Sequence, residues 1–123
     1  MKKIAIYVCG EISERCTANG CLRAFNDRAD SFEVYGPEAT GLVAFGSCNG
    51  CEQDPEGALY SKLEKFLKAE VDTMHLSTCI RGRCDHYEAF VKILSKNFDV
   101  IGYTHGSQEG RKKYHIDEEK ILS

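Results

Sequence analysis

The chain has 123 residues, 42% hydrophobic and 28% charged, the size and composition of one ordinary globular domain rather than a disordered tract. A formal net charge of −3 leaves no basic footprint for a phosphate backbone, so nucleic acid is not expected as a partner. No stretch approaches the roughly 20 apolar residues that span a bilayer, and seven cysteines are too many and too odd in number for a simple disulfide framework.

Lys3 to Val8 is a short apolar, β-branched run, the pattern of a buried strand. It is too short for the core of a signal peptide, and Cys9-Gly10 ends it. A cytoplasmic protein with reduced thiols is therefore expected. A polar loop, Glu11 to Asn19, carries Cys16. A short helix begins near Gly20, with Leu22 and Phe25 on one face and Cys21 in its first turn. Ser31 to Tyr35 reads as an edge strand, and Gly36-Pro37 as a turn. Gly41 to Gly46 is apolar on both faces, as a central parallel strand should be.

Ser47-Cys48-Asn49-Gly50-Cys51 follows at once. Two cysteines separated by two residues can aim both sulfurs at one atom, and Asn49 and Gly50 tolerate the left-handed backbone of such a turn. Asp54-Pro55 is an N-cap with proline at the first helical position. The helix runs to about Ala69 with Leu59, Leu63, Phe66 and Leu67 as its apolar stripe. Thr73 to Ser77 is a third strand, ended by Thr78-Cys79. A basic loop, Ile80 to Arg83, leads to Cys84 and a helix over Asp85 to Lys96, with Tyr87, Phe90, Val91 and Leu94 on its buried side. Val100 to Tyr103 is the fourth strand, closed by Thr104-His105-Gly106. From about 107 the chain is a polar tail, with the basic cluster Arg111-Lys112-Lys113, His115 and a short helix from Asp117 to Leu122.

Alternating strands and helices imply right-handed crossovers and a parallel sheet covered on both faces. The expectation is a single α/β domain over 1–123, three-layered and Rossmann-like or flavodoxin-like, with a mainly parallel sheet. Its functional edge is the carboxyl ends of the strands. Cys9, Cys48, Cys79 and His105 all fall at those ends, Cys51 three residues after Cys48, and Cys21 and Cys84 at helix starts that face the same edge.

Thiolates at one edge suit zinc or an iron–sulfur cluster. Cys9, Cys48, Cys51 and Cys79 are the simplest four ligands, with Cys16, Cys21, Cys84 and His105 as alternates or a second site. The metal is structural, regulatory, or the centre of an enzyme with an open coordination position. The alternative is thiol–disulfide exchange, with Cys48 as nucleophile and Cys51 resolving, although the helix begins only after Cys51. Cys9 to Arg15 also fits C-x5-R after a first strand, the arrangement of the phosphate loop in low-molecular-weight tyrosine phosphatases, but Cys16 replaces the expected serine or threonine. His75, inside a strand, is either a hydrogen-bonded core residue or a partner orienting a ligand. His86 is a further ligand candidate beside Cys84.

The ordered set of Ile4-Ala5-Ile6-Tyr7-Val8-Cys9, Cys16 and Cys21 before Leu22-Arg23-Ala24-Phe25, and Phe45-Gly46-Ser47-Cys48-Asn49-Gly50-Cys51 resembles the CGGC-domain family. The resemblance continues through His75-Leu76-Ser77-Thr78-Cys79, Cys84-Asp85-His86 and Gly102-Tyr103-Thr104-His105, covering residues 1 to about 106. It implies a small α/β protein that binds metal through cysteine and histidine, without naming a reaction. Asn49 stands for the first glycine of the name-giving motif, and Asp85 stands where proline is expected.

Overall fold

In the computed structural model, residues 1–10, 17–48, 54–83 and 85–106 are described, apart from the side chains at 79, 82 and 83. Four parallel strands form one sheet: β1 (Lys2–Val8), β2 (Thr40–Ser47), β3 (Thr73–Leu76) and β4 (Asp99–Ile101), in the order β2-β1-β3-β4. Between them run α1 (Asn19–Asp27), a 3-10 helix (Asp30–Tyr35), α2 (Pro55–Lys68), α3 (Thr78–Arg83) and α4 (Tyr87–Ser95). The expected three-layer α/β fold with a flavodoxin-like parallel sheet is what forms.

β1 lies inside the sheet, and every residue from Ile4 to Val8 is buried. Its alternation feeds two cores. Ile4, Ile6 and Val8 meet α1 and the 3-10 helix, in a cluster with Ala24, Phe32 and Tyr35. Ala5, Tyr7 and Cys9 share the opposite cluster with Leu59 and Phe66 of α2 and Phe90, Val91 and Leu94 of α4. Tyr7 meets the rings of Phe66 and Phe90 edge-on, with centroids 6.2 and 5.7 Å away, the geometry aromatic quadrupoles favour. Each such buried side chain contributes about 1.5–3 kcal/mol of apolar transfer.

α2 begins where the sequence places it. Asp54 caps it, accepting from the Gly57 amide at 3.3 Å, and Pro55 follows at the first helical position. A Cβ at position 57 would lie 2.2 Å from the Asp54 carboxylate, so a larger residue there would displace the capping side chain. Leu59 and Phe66 are buried and Leu63 is half-buried, but Leu67 of the expected stripe is exposed.

Three further expectations are corrected. Ser31 to Tyr35 is not an edge strand but lies in the 3-10 helix. Phe32 and Tyr35 stand three residues apart, which a strand would put on opposite faces and a three-residue turn puts on one; both enter the α1-side core. The Gly41 to Gly46 run is an edge strand, not a central one, and Phe45 is 47% exposed. Its small residues and a bulge at Val43 fit a rim as well as an interior, and an uninterrupted apolar run does not distinguish them. Ile80 to Arg83 is helical rather than a loop, because Ser77 supplies its first acceptor, taking the amides of Ile80 and Arg81 at 3.0 and 3.2 Å. The helix expected over Asp117 to Leu122 lies outside the described residues, as do Arg111, Lys112, Lys113 and His115. Among the described residues no helix is long and apolar enough to cross a membrane.

Candidate functional site

The strand order decides what stands side by side at the carboxyl edge. β1 has β2 on one side and β3 on the other. The connections from the β1 and β3 ends leave the sheet on opposite sides, and the crevice outside such a switch point is where open α/β sheets bind ligands. Cys9 closes β1, Cys48 closes β2, and Cys79 lies in the first turn of α3 directly after β3. His105 follows β4 beyond Gly102–Thr104.

Cys9 and Cys48 are in step. Ile4 pairs with Leu42, but Ala5 pairs with Ala44, so Val43 is an extra residue in β2. From there the register runs unbroken to Val8 and Ser47, and Cys9 and Cys48 are the next positions. The Cys48 amide bonds the Val8 carbonyl at 3.3 Å, and the Gly10 amide donates to Cys48 Sγ at 3.1 Å. Both thiols are buried, 4% and 1% exposed, in the cluster on the α2–α4 side. The amide aimed at the sulfur fixes where Cys48 Sγ sits beside the end of β1.

Cys21 and His105 stand apart from that pair. Cys21 belongs to the core on the α1 side of the sheet. Its sulfur is 3.1 Å from Thr104 Oγ1. The exposed His105 ring lies over Gly20, where a Cβ would come within 3.2 Å of it, so a glycine permits this approach. Thr78 clamps the loop: its hydroxyl donates to the His105 carbonyl at 2.7 Å and accepts the amides of Thr104 and His105 at 3.2 and 3.0 Å. Sequence reasoning missed Thr78 and Thr104. Their signal was a hydroxyl directly before Cys79 and before His105, each at a strand end.

His75 is a core histidine. It is fully buried and stacked on Phe32 at 4.1 Å. Ser31 donates its hydroxyl to the Thr104 carbonyl at 2.9 Å, so its oxygen accepts from His75 Nδ1 at 3.0 Å, and the Tyr103 carbonyl lies 3.3 Å from the same nitrogen. Nδ1 therefore carries the proton, and Nε2 accepts from the Tyr35 hydroxyl at 2.8 Å. Burial lowers the imidazole pKa to about 3 and raises the Tyr35 phenol to about 12. Both groups are neutral over the physiological range, and both ring nitrogens are engaged within the core.

His86 precedes α4, and its Nδ1 is 3.2 Å from Glu56 Oε2 in the first turn of α2. The contact ties together the helix starts that follow Cys51 and Cys84. Cys16, Cys51 and Cys84, with Asn49, Gly50 and Arg15, lie outside the described residues, as does the Cys79 side chain. Among the described residues no three His, Cys, Asp or Glu side chains form a metal-holding group. The donors that are described fit a soft metal: two buried thiols in register, one of them accepting a backbone amide. For disulfide exchange, the buried Cys48 is a poorly accessible nucleophile, and α2 starts only after Asp54.

Fold and edge together define a flavodoxin-like α/β protein in which Cys9, Cys48 and Cys79 follow the carboxyl ends of three parallel strands. The chain belongs to the CGGC domain family, whose model matches residues 3–105. No curated protein and no solved structure gives a significant match.

Proposed function

We propose that this protein binds a transition metal, zinc or an iron–sulfur cluster, at the carboxyl edge on the α2–α4 side of the sheet. Cys9 and Cys48 are the proposed anchoring donors, with Cys51 and Cys79 completing the set by their place in the chain. Cys16 and Cys84 are alternates. Cys21 and His105, on the α1 side, are the weaker members of the original eight candidates. The observation that carries the reading is the Gly10 amide donated to the buried Cys48 sulfur at 3.1 Å. Membership of the CGGC family supports it. The proposed compartment is the cytoplasm, where such thiols stay reduced.

A metal bound here would supply charge that holds several thiolates together, and in an open site a Lewis acid. The chain's own contribution is clear without it. The β1–β2 register brings two sulfurs level, the Gly10 amide orients one of them, and the core beneath them excludes water.

Elemental analysis with an absorption spectrum, on protein purified without oxygen, tests the reading. About one zinc per chain without visible colour is expected of a closed thiolate site. Brown protein containing iron and sulfide would assign a cluster. Cys48→Ala should lose the metal in either case. Full metal content in that variant would remove Cys48 from the ligand set, and metal-free wild-type protein would overturn the proposal.

A further inference from the structure

α1 and the loop after β4 enclose a groove of about 260 Å³, on the side of the sheet opposite to the Cys9 and Cys48 cluster. Gly20, Arg23, Ala24 and Asp27 of α1 form one wall, Asp30 and the His105-Gly106 loop the other. The loop wall is held from behind. Thr78 accepts the His105 amide and donates to its carbonyl, and the Asp30 carboxylate accepts the Gly106 amide at 3.0 Å. Gly20 lets the His105 ring reach the helix. Charge is laid out along the groove. Arg23 and Asp27 stand one turn apart on α1, about 6 Å along its axis. Opposite charges at that spacing commonly pair, yet neither side chain has an ion-pair partner among the described residues. Asp27 lies in the last turn of α1, where the helix dipole disfavours an anion. Neither charge therefore serves the helix itself.

We propose that this groove binds the zwitterion of a free α-amino acid. Arg23 and His105 take its carboxylate, Asp27 and Asp30 take its ammonium, and buried Ala24 forms an apolar floor between them. A simple anion would face two carboxylates here, and a simple cation would face the guanidinium. A molecule carrying both charges on one carbon meets each end with its opposite. The planar guanidinium suits a carboxylate because it can donate two parallel hydrogen bonds. The site is separate from the thiol edge and does not rest on the metal-binding reading.

The test is a titration of the full chain with each of the standard α-amino acids at millimolar concentration, followed by proton–nitrogen correlation spectra. At least one amino acid should shift the amides of Gly20, Ala24 and Gly106 saturably. Its N-acetyl and carboxamide derivatives each keep one charge and lose the other. Each should bind about 10-fold more weakly or worse, since a charge-assisted contact is gone. Arg23→Gln and Asp27→Asn should each cause a similar loss, with thermal unfolding nearly unchanged because both sites are exposed. Gly20→Ala should displace the His105 ring and weaken binding, although alanine is the better helix former. No saturable shift with any amino acid would overturn the proposal and mark the groove as a solvated face. Derivatives that bind as tightly as the parent amino acid, or unchanged affinity in Arg23→Gln and Asp27→Asn, would overturn it as well.

Discussion

His75 makes a pH prediction. Its folded pKa, about 3, lies below the ordinary 6.5 because burial penalises the imidazolium. The unfolded chain therefore takes up the proton first as pH falls, and stability declines from about pH 6.5 toward pH 3, by about 1 kcal/mol per unit once below 6.5. The Lys3–Glu70 pair, which lowers the Glu70 pKa, acts only at and below the usual carboxylate range. The interval from pH 6.5 to 5.5 thus lies above the carboxylate range, and comparison with His75→Gln separates His75 from the other three histidines. His75→Gln should cost about 1–3 kcal/mol at pH 7 through the disturbed bonds to Ser31 and Tyr35, yet lose the slope. Urea midpoints at pH 7, 6 and 5.5 decide it, and an unchanged slope in the variant would refute the assignment. Sequence alone left His75 between core and site, because a histidine in a short strand has no periodic signature. Phe32 and Tyr35 resolved it only once they were seen to share one side of a 3-10 turn.

At the level of elements, the Val43 bulge makes a paired prediction. Beyond it the β1–β2 ladder is in step, which is how Cys48 comes level with Cys9. Deleting Val43 removes the extra residue and leaves the two cysteines aligned, so metal content should survive. Inserting one alanine between Gly46 and Ser47 turns Cys48 to the other face of the sheet, since side chains alternate with period two. That variant should fold but carry little metal. Metal content alongside circular dichroism checks both, and a metal-replete insertion variant would count against the site. The core helices are more forgiving of sequence reading. Leu59 and Phe66 keep their expected burial, and Phe66→Ala should cost about 3–5 kcal/mol in urea unfolding.

Across the whole molecule, fold class and the place of Cys9 and Cys48 at the carboxyl edge were legible because strands and helices alternate in sequence and these two thiols directly follow strand ends. Strand order was not legible, since hydrophobic runs record burial and not neighbours. β2 read as central and is an edge, and that difference puts Cys48 beside Cys9 alone. The burial of Arg81 was also hidden, because a basic residue after a strand end looks like a solvated loop until Ser77 is seen to start a helix there.

The position of β1 between β2 and β3 has a consequence for chain entropy. The proposed donors at 9, 48 and 79 sit on segments far apart in sequence, so one ion held by all three would cross-link the chain much as a disulfide does. Closing long loops costs entropy that grows only slowly with their length, and an ion that binds the folded form alone raises stability with its free concentration. Zinc should therefore slow hydrogen exchange throughout β1, β2 and β3 together. β4, a three-residue edge strand beyond the clasp, should open at nearly its metal-free rate.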